Sequence, residues 1–539
     1  MEATGKRLAE YKIWHKPKMA FTDRLANRGS VSTGYDIENS VRLEADNSQY
    51  LKSASISTTP TNAKIGTFSS WIKRTELGAN YLLVAGNSAR YSRMFFNASD
   101  QIQLYSGDSS WNSVQPITNA VYKDASAWYH IVLRIDSTDG TAANRLRLYV
   151  NGVEQTWGTA PNITQNGGMT LTEAFGSPGY QSWGEDLAYY TASAFFSGYL
   201  AEVHHVDGQS LAPTEFGEFD EDSGIWKPKK YSGSHGNCGY YMDFADSGNL
   251  GDNEASTGSG FDFAENNIAA VDQSADTPTN NFCTLNINDR RAGVSTVISK
   301  GALSYTSVAA NYGDISMTMG VGSGKWYYEI KVIATGSTKT NWFFGIRDAS
   351  ATENANSDAS WGYASTAGEA AGQGKKQWGF TSGGYVFNNT SAAAQPSGQP
   401  SNTQTGYNTG HMEVGNIFGL AIDMDNGKYF VGRNIGSTNT GDFRWYDDGS
   451  LSSNVGNPVT GAYPVANNLL TGEDGGATLL LPCFSLYSGS GTGTAEFNFG
   501  SPPYTPSSGN ADANGYGNFE HAVPSGFYAL CSKNLAEFG

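Results

Sequence analysis

Trp128-Tyr-His-Ile-Val-Leu-Arg-Ile-Asp136 is the stretch whose residue pattern decides the fold class. Every second residue from Tyr129 to Ile135 is aromatic or aliphatic, and His130 and Arg134 occupy intervening positions. Because successive side chains of a strand point to opposite faces, such a strand has one wholly apolar face. The pattern therefore predicts a strand that packs one face against a core.

A hairpin follows this stretch in the sequence. Arg145-Leu-Arg-Leu-Tyr-Val150 also alternates, and it is followed by Asn151-Gly152 and then by Val153-Glu-Gln-Thr156. Asn-Gly readily adopts the two positive φ values that a type I′ turn requires. The segment predicts two antiparallel strands joined by a tight turn.

Composition extends this prediction to the whole chain. The 539 residues include 65 Gly, 13% are aromatic and only 16% are charged, which is typical of all-β proteins with many turns. The length predicts two large domains. We expect an all-β protein with two antiparallel β-sandwich (jelly-roll) domains. The predicted parts are an N-terminal arm (1–40), a first sandwich (41–217), a packed irregular connector (218–290) and a second sandwich (291–539).

Charge and cysteine usage exclude several classes of function. A net charge of -17 argues against a nucleic-acid partner, because phosphate binding needs clustered Lys and Arg. The four cysteines are far apart, which favours unpaired buried thiols over disulfides or a metal site. No apolar run is long enough to cross a bilayer, and the N-terminus lacks the apolar core of a secretory signal. We expect no membrane insertion and production without Sec export.

The first 30 residues differ chemically from the rest. They carry seven Lys or Arg and three acidic residues, a net charge of +4. A basic arm with exposed apolar residues is either a disordered tail or a docking peptide that orders on a partner. Docking is favoured because Ile13 and Trp14 are costly to leave in water. The predicted docking residues are Lys6, Arg7, Lys12, Ile13, Trp14, Lys16 and Lys18.

Four ordered motifs of the first sandwich resemble a known family. They are Phe68-Ser-Ser-Trp-Ile-Lys73, Trp128-Tyr-His-Ile-Val132, Arg147-Leu-Tyr-Val-Asn-Gly-Val153 and Phe196-Ser-Gly-Tyr-Leu-Ala-Glu-Val203. Together they resemble the laminin G-like, concanavalin A-like jelly roll. The resemblance implies two curved antiparallel sheets that bind glycan or protein on a concave face or rim, sometimes with calcium. No carboxylate cluster here matches a calcium-binding motif, so we expect no cofactor and name no metal residues, and calcium in the first sandwich stays an alternative that no motif supports.

Aromatic side chains in loops are the candidate contact residues. Tyr180-Gln-Ser-Trp183 lies in a glycine-bearing stretch where rings can stack on sugars. The full set of predicted glycan or partner contacts is Trp111, Trp157, Tyr180, Trp183, Trp361 and Trp378. The long polar loop from Asn388 to His411 is a further predicted contact surface.

Catalytic residues are not predicted. Laminarinase-like hydrolases of this fold place carboxylates at alternating positions of one strand, and the nearest stretch here is Ala201-Glu-Val-His-His-Val-Asp207. Glu202 and His204 share a face, but Asp207 falls on the other, so no carboxylate pair forms. We interpret His204 and His205 as polar strand residues near the sandwich edge. The protein is therefore predicted not to be an enzyme.

The second sandwich shows a different resemblance. Gly324-Lys-Trp-Tyr-Tyr-Glu-Ile-Lys-Val332 alternates, and Gly415 to Phe430 contains Asp423-Met-Asp-Asn-Gly427 between two apolar runs. These motifs resemble the SPRY domain, a non-catalytic binding sandwich. The Asp-rich segment lacks the Glu of a calcium loop and is predicted to be a hairpin turn.

The connector extends the resemblance to a class of proteins. Ile225-Trp-Lys-Pro-Lys-Lys-Tyr231, Tyr241-Met-Asp-Phe244 and Asp276-Thr-Pro-Thr-Asn-Asn-Phe282 resemble the segment that joins a laminin G-like module to a SPRY-like module in fibre-like proteins of tailed bacteriophages. Within the last motif, Pro278 is expected to hold the chain extended, and Phe282 and Leu285 to be buried. The segment would then be a structural clasp between the sandwiches.

These resemblances imply a virion structural protein: a tail fibre, appendage or surface-decorating adhesin. It would be made in the host cytoplasm, dock to other virion proteins by its N-terminal arm and bind host-surface glycan or protein from the virion surface. A homo-oligomer such as a trimer is typical of fibres in general, although the sequence does not indicate the number of subunits. The alternatives are a polysaccharide-degrading enzyme on the first sandwich and a capsid-stabilising protein with no receptor role.

Overall fold

The computed structural model describes most of the chain from residue 34 to residue 539. The ranges outside the description are 1–33, 88–89, 108–114, 174–179, 187–194, 259, 291–294, 309–312, 338–341, 350–376, 382–385, 389–412, 435–442, 446–455, 468, 472–476 and 487–490. Within the described ranges, helical structure is confined to four 3-10 turns and the helix α1 (Ser532–Phe538). The 3-10 turns are Ala45–Asn47, Ala142–Asn144, Pro213–Glu215 and Ala270–Asp272. The all-β, two-sandwich prediction is confirmed.

Eighteen described strands precede the second sandwich. In chain order they are β1 (Ser40–Leu43), β2 (Tyr50–Ser53), β3 (Ile65–Arg74), β4 (Asn80–Gly86), β5 (Tyr91–Phe96), β6 (Ile102–Ser106), β7 (Ile117–Thr118), β8 (Trp128–Asp136), β9 (Leu146–Val150), β10 (Val153–Glu154), β11 (Trp157–Thr159), β12 (Tyr180–Trp183), β13 (Gly198–Asp207), β14 (Gly217–Phe219), β15 (Trp226–Pro228), β16 (Tyr240–Met242), β17 (Phe263–Asn266) and β18 (Gln273–Ser274).

These strands form two large antiparallel sheets. Sheet A has the order β10-β9-β8-β3-β13-β1-β18, with β16 also pairing with β13, and sheet B has the order β11-β7-β6-β5-β4-β12-β2-β17. Their facing sides bury one core, to which β8 contributes Ile131, Leu133 and Ile135 as its alternation predicts. Burying each such side chain stabilises the fold by about 1.5–3 kcal/mol. The short β14-β15 ribbon brings Trp226 to the outer side of sheet A.

The connector contributes strands to the first sandwich. β16 and β18 join sheet A, and β17 joins sheet B beside β2. The division at residues 217 and 290 stays a prediction, but within it residues 240–274 complete both sheets. This position explains why so many connector aromatics are buried, among them Tyr240, Phe244 and Phe263.

Fourteen described strands build the second sandwich. They are β19 (Leu285–Arg290), β20 (Thr296–Ser299), β21 (Ser304–Ser307), β22 (Gly313–Met317), β23 (Lys325–Thr335), β24 (Trp342–Asp348), β25 (Gln377–Thr381), β26 (Val386–Asn388), β27 (Ile417–Asp423), β28 (Lys428–Asn434), β29 (Phe443–Trp445), β30 (Leu480–Leu486), β31 (Gly493–Asn498) and β32 (Tyr528–Ala529).

Two further sheets face each other in this sandwich. Sheet C has the order β19-β22-β30-β24-β25-β26, and sheet D has the order β20-β21-β31-β23-β27-β28-β29. The C-terminal β32 pairs with β23 in parallel. Trp326, Tyr328, Ile330 and Val332 of β23 all lie in the core, as the alternation of that strand predicts.

Both predicted hairpin turns are confirmed. Asn151 and Gly152 have φ values of 50° and 76°, and Val150 pairs with Val153 across the turn. Asp423 pairs with Lys428, so residues 424–427 connect β27 to β28, and Gly427 has a φ of 64°. In the second turn, Asp423 accepts hydrogen bonds from the backbone and side chain of Asn426, which stabilise the turn.

The segment Asp276–Leu285 contacts both sandwiches, and its two apolar residues are buried as expected: Phe282 is 2% exposed and Leu285 is fully buried. The expectation that Pro278 holds the chain extended is wrong. The backbone N–H of Asn280 donates to the carbonyl of Thr277 over 3.1 Å, so Pro278 lies inside a tight turn. Proline favours the second position of such turns because its φ is already fixed near the required value.

The four cysteines are free and buried, which confirms the prediction of unpaired thiols. In the ranges that the structure describes, no helix is both long and apolar enough to cross a membrane.

Candidate functional site

Strand β5 presents different side chains to the two sides of sheet B. Met94 and Phe96 lie in the core, so the alternating residues Tyr91, Arg93 and Phe95 lie on the side that faces away from it. This outward side brings together one set of side chains, which we call the aromatic face. Its members are Lys52, Tyr81, Tyr91, Arg93, Phe95, Tyr105, Tyr180, Glu185 and Asp186.

Arg93 lies at the centre of the aromatic face. Its guanidinium carbon is 4.9 Å from the ring centroid of Tyr105, 5.1 Å from Phe95, 5.3 Å from Tyr81 and 5.8 Å from Tyr91. Strand register produces this arrangement, because Arg93 pairs with Tyr105 and its neighbour Phe95 pairs with Tyr81. A cation near the faces of aromatic rings is attracted by their π electrons, so the rings hold the guanidinium in place.

Asp186 pairs with Arg93 from the segment that follows β12. The Arg93 guanidinium donates to one carboxylate oxygen of Asp186, whose residue is 3% exposed. Burial raises the pKa of Asp186, and the charge and hydrogen bond of Arg93 oppose that rise. Asp186 Oδ1 and Arg93 Nε are both buried and have no hydrogen-bond partner among the described residues.

Glu185 adds a second carboxylate at this edge of the aromatic face. It is fully buried, and neither of its oxygens meets hydrogen-bond geometry with a described residue. Burial raises the pKa of Glu185 to about 7, against the opposing effects of the nearby Ser182 hydroxyl and Lys52 ammonium. The Lys52 ammonium lies 3.7 Å from the centroid of the Tyr180 ring, and burial together with the nearby Glu185 and Asp186 carboxylates raises the pKa of Tyr180.

This geometry combines flat apolar surfaces with unsatisfied polar atoms. Tyr81, Tyr105 and Tyr180 are half-buried, so part of each ring stays open to solvent. Exposed rings can stack on the apolar side of a flat ligand, and a few convergent polar groups can fix its orientation. A buried polar atom without a partner costs about 1–3 kcal/mol, so Glu185 and Asp186 lower the stability of this edge of the sheet.

The predicted contact residues lie in different places. Tyr180 belongs to the aromatic face. Trp157 is half-buried on β11, at the far end of sheet B, and packs against the core edge. Trp183 and Trp378 are each 1% exposed inside the two sandwich cores, and the Trp183 indole N–H donates to the Tyr240 hydroxyl over 2.8 Å. Rings this deeply buried offer no surface to a ligand, so we leave both out of the candidate site.

Other predicted residues lie outside the described residues. These are Trp111, Trp361 and the docking residues Lys6, Arg7, Lys12, Ile13, Trp14, Lys16 and Lys18, together with nearly all of the predicted contact loop from Asn388 to His411.

Sequence reasoning missed the charged members of the aromatic face. Aromatic residues occupy both odd and even positions of Tyr91-Ser-Arg-Met-Phe-Phe96, so the sequence does not show which of its side chains face outward and which face the core. One signal was available in the alternation of Ile102-Gln-Leu-Tyr-Ser106, which places apolar residues on one face and Tyr105 on the other. Pairing of this strand with β5 brings Tyr105 beside Arg93. The pairing of Arg93 with Asp186, 93 residues away, has no local signal in the sequence.

The interpretation of His204 and His205 as residues near the sandwich edge is wrong. β13 lies inside sheet A, between β3 on one side and β1 and β16 on the other. His204 and His205 are 3% and 1% exposed. Local sequence could not show this position, because the pairing strand β16 comes from the connector.

A bulge in β13 creates a buried polar cluster around Glu202. Glu202 has a φ of 50°, and its carboxylate accepts hydrogen bonds from Tyr35 at 2.7 Å and Tyr241 at 2.6 Å. His204 Nε2 lies 3.4 Å from the same carboxylate. Burial raises the pKa of Glu202, but the contacts with His204, Tyr241 and Tyr35 hold it below its usual range. The carboxylate is thus satisfied by neighbours and is not a candidate for ligand binding.

The described residues also lack the donor set of a metal centre. No group of three or more His, Cys, Asp or Glu side chains in that part of the chain is arranged to hold a metal ion.

Comparison with protein-family models finds a similarity within the first sandwich. Residues 45–213 match the family model of the Concanavalin A-like lectin/glucanases superfamily. The match covers β2 to β13 and thus every strand that contributes to the aromatic face. Comparison with curated proteins finds no significant match.

Solved structures resemble the chain only in fold. The SPRY domain of human HERC1 is 13% identical over 40% of this chain and 96% of its own, with a TM-score of 0.24. A putative carbohydrate binding protein from Bacteroides ovatus is 14% identical over 43% of this chain and 59% of its own, with a TM-score of 0.31. The CBM40 domain of a Ruminococcus gnavus IT-sialidase, bound to α2,3-sialyllactose, is 12% identical over 31% of this chain and 89% of its own, with a TM-score of 0.21. At these scores, none of the three carries a functional argument.

Proposed function

We propose that the protein is a glycan-binding protein and that its ligand lies on the aromatic face of the first sandwich. One observation carries the proposal: Arg93 lies among four aromatic rings, of which Tyr81 and Tyr105 are partly open to solvent. Sugars present an apolar ring side that can stack on such rings, and hydroxyl groups that polar side chains at the edge of a site can bind. The match of residues 45–213 to a lectin and glucanase superfamily supports the same function.

A glycan array probed with the full-length protein tests this proposal. We expect saturable binding to at least one class of polysaccharide, and competition by the same glycan free in solution. Binding to no glycan on a broad array would contradict the proposal, provided that circular dichroism shows the folded β-sheet spectrum.

We further propose that the protein is a surface component of a tailed-phage particle. This rests on the order of the connector motifs from Ile225 to Phe282 and on the basic segment before residue 31, which would dock to other virion proteins. Many copies on one particle would convert weak sites into tight attachment. Immunogold electron microscopy of particles would place the protein, and its absence from purified particles would contradict the role.

The structure sharpens the truncation that tests docking. Tyr35 and Ile37 already pack on the first sandwich, and β1 begins at Ser40. Removal of residues 1–33 therefore spares these contacts, whereas removal of 1–40 would not. We expect the shorter deletion to abolish particle association and to leave the thermal midpoint unchanged. Retention on the particle would favour a docking surface elsewhere.

A binding role is proposed over a catalytic one. Glycosidases need two carboxylates on opposite sides of the scissile bond. Glu185 and Asp186 are chain neighbours, and Asp186 is engaged by Arg93. Incubation with exopolysaccharide should produce no new reducing ends, and a rise that Glu185→Gln abolishes would instead establish the enzyme alternative. A capsid-stabilising role without a receptor would appear as particle fragility without loss of attachment.

A further inference from the structure

The charged side chains of the aromatic face indicate the chemical class of glycan that it binds. Its two cations, Lys52 and Arg93, are partly exposed, whereas its two carboxylates are buried. We infer, on the basis of the proposed function, that the ligand is an acidic glycan whose carboxylate or sulfate groups contact Lys52 and Arg93.

Arg93 and Lys52 lie in one row that crosses sheet B. Arg93 pairs with Val84 of β4. Val84 pairs with Ser182 of β12, which in turn pairs with Lys52. Paired residues project from the same face of a sheet, and three strand spacings of about 4.8 Å place the two backbones about 14 Å apart. Both cations thus lie on one surface, within reach of a single oligosaccharide.

Lys52 is the cation that is available to a ligand. Its ammonium lies 3.7 Å from the centroid of the Tyr180 ring and forms no ion pair within the part of the chain that the structure describes. The cross-strand neighbours of Lys52 are Ser182 and Ala264, whose side chains are too short to cover the ammonium. The Tyr180 ring attracts the ammonium and restricts its motion, so less side-chain entropy is lost when an anion binds.

Arg93 also keeps part of its guanidinium open. The guanidinium donates to Asp186 through Nη1, the side chain is 16% exposed, and Nη2 has no acceptor among the described residues. The surrounding rings lie against the guanidinium, which directs its N–H groups outward from its planar edge. Carboxylate and sulfate oxygens are well suited to accept hydrogen bonds from such an edge.

The carboxylates of the aromatic face oppose an anionic ligand only weakly. Glu185 and Asp186 are 0% and 3% exposed, so a ligand at the surface meets the cations first. Burial raises the pKa of Glu185 to about 7, so most copies of this side chain are uncharged at pH 6. The two cations then face only the charge of Asp186, which leaves the aromatic face positive.

The charge of the whole chain does not reverse this local preference. The net charge of -17 is spread over 539 residues, and salt screens charges separated by more than about 8 Å at physiological ionic strength. An acidic sugar gains the same ring stacking as a neutral sugar of equal shape. It also gains charge-assisted hydrogen bonds, which are about twice as strong as neutral ones.

Matched pairs of glycans on the array test the class of ligand. The array would carry polygalacturonate beside its methyl ester, dextran sulfate beside dextran, and sialyllactose beside lactose. We expect the best ligand to be acidic, with a carboxylate or a sulfate according to which pair binds. Isothermal titration at pH 6 should show that methyl esterification or desulfation of this glycan weakens binding at least about tenfold.

One variant and its matched control test the role of the exposed cation. Lys52→Met keeps the apolar stem and removes the charge, so it should weaken binding of the acidic glycan about fivefold or more. Binding of the uncharged counterpart should change less than about twofold. Lys230→Met is the control, because Lys230 is exposed and lies outside the aromatic face. Arg93→Met would leave Asp186 buried without a counter-charge, so Lys52 is the better position for the test.

The outcomes separate this inference from the proposed function. A neutral glycan as the best ligand, or equal affinities of Lys52→Met and Lys230→Met for the acidic glycan, would overturn the inference and leave glycan binding intact. Binding to no glycan at all would overturn the proposed function and this inference with it. Tighter binding of the acidic glycan that Lys52→Met weakens and Lys230→Met does not would support both.

Discussion

The Lys73 ammonium lies 2.7 Å from Asp276 Oδ2, and the two side chains are only 0% and 2% exposed. Lys73 belongs to β3 of the first sandwich, whereas Asp276 belongs to the segment that leads into the second. The other Asp276 oxygen accepts from the Trp128 indole N–H at 3.1 Å and from the Phe282 backbone N–H at 3.3 Å. Both oxygens of this carboxylate therefore fix the segment against the first sandwich.

The same segment reaches the C-terminus of the chain. Asn281 exchanges hydrogen bonds with Ser532, through its carbonyl at 2.8 Å and its N–H at 2.9 Å. Asn281 Oδ1 also accepts from the Lys73 ammonium at 2.7 Å. One residue thus links β3 of the first sandwich to the start of α1 in the second, which gives the proposed clasp its physical content.

Replacing Asp276 should be strongly destabilising. Asp276→Ala leaves the Lys73 ammonium buried without a counter-charge, and breaking a buried pair in this way costs about 3–5 kcal/mol. Urea denaturation would measure the loss. Glu154→Gln is the control, because its pair with Arg147 is solvent-exposed and such pairs contribute about 0–1 kcal/mol. Equal effects of the two substitutions would contradict the clasp.

Replacing Phe282 should loosen the two sandwiches against each other. The ring packs with Tyr327, Phe519 and Cys531, and removing a buried Phe ring typically costs about 3–5 kcal/mol. Limited proteolysis of Phe282→Ser should show faster cleavage between residues 266 and 300. Phe219→Ser is the matched control, since Phe219 is 50% exposed. An unchanged cleavage rate between residues 266 and 300 would contradict the prediction.

Glu185 should make stability fall as pH rises. Its pKa is about 7 when folded and 4.5 ordinarily, so between these pH values the folded protein holds a proton that the unfolded chain has released. The carboxyl therefore contributes most stability below about pH 4.5, and that contribution is lost by about pH 7. The thermal midpoint of Glu185→Gln relative to wild type should rise between pH 5 and pH 8. A difference that is constant with pH would contradict this assignment.

Buried histidines should act in the opposite direction. Burial, reinforced by neighbouring histidine charge, lowers the pKa of His130 and of His235 to about 3 from 6.5. Between about pH 6.5 and pH 3 these histidines bind protons in the unfolded chain but not in the folded protein, so the free energy of unfolding falls as the pH drops below about 6.5. The effect of His130→Gln on unfolding free energy should therefore shrink as the pH falls from 7 to 4. A penalty that stays constant over this range would argue against a neutral, buried His130.

Local residue patterns predicted where the strands lie. Pairing between distant segments determined which side chains face the core and which face outward. The alternation of Trp128–Asp136 and the Asn151-Gly152 turn are local consequences of strand geometry, and both are confirmed. Trp183 was a predicted contact residue because its neighbours resemble a loop. In the structure it belongs to β12, and the alternation of that strand points its ring into the core. Which alternate residues of a strand face the core depends on the strands that pair with it. The side-chain pair of Arg93 with Asp186 and the strand pair of β13 with β16 both join residues that are distant in sequence.

Titration of the full-length protein with its best array glycan tests the central claim most directly. Tyr105→Ala removes one ring beside Arg93, and Tyr463→Ala removes a ring that is 44% exposed in the second sandwich. We predict that Tyr105→Ala weakens binding at least about tenfold, or about 1.4 kcal/mol, while Tyr463→Ala leaves the Kd unchanged. Equal Kd values for Tyr105→Ala and the wild type would show that the glycan binds elsewhere and would contradict the account.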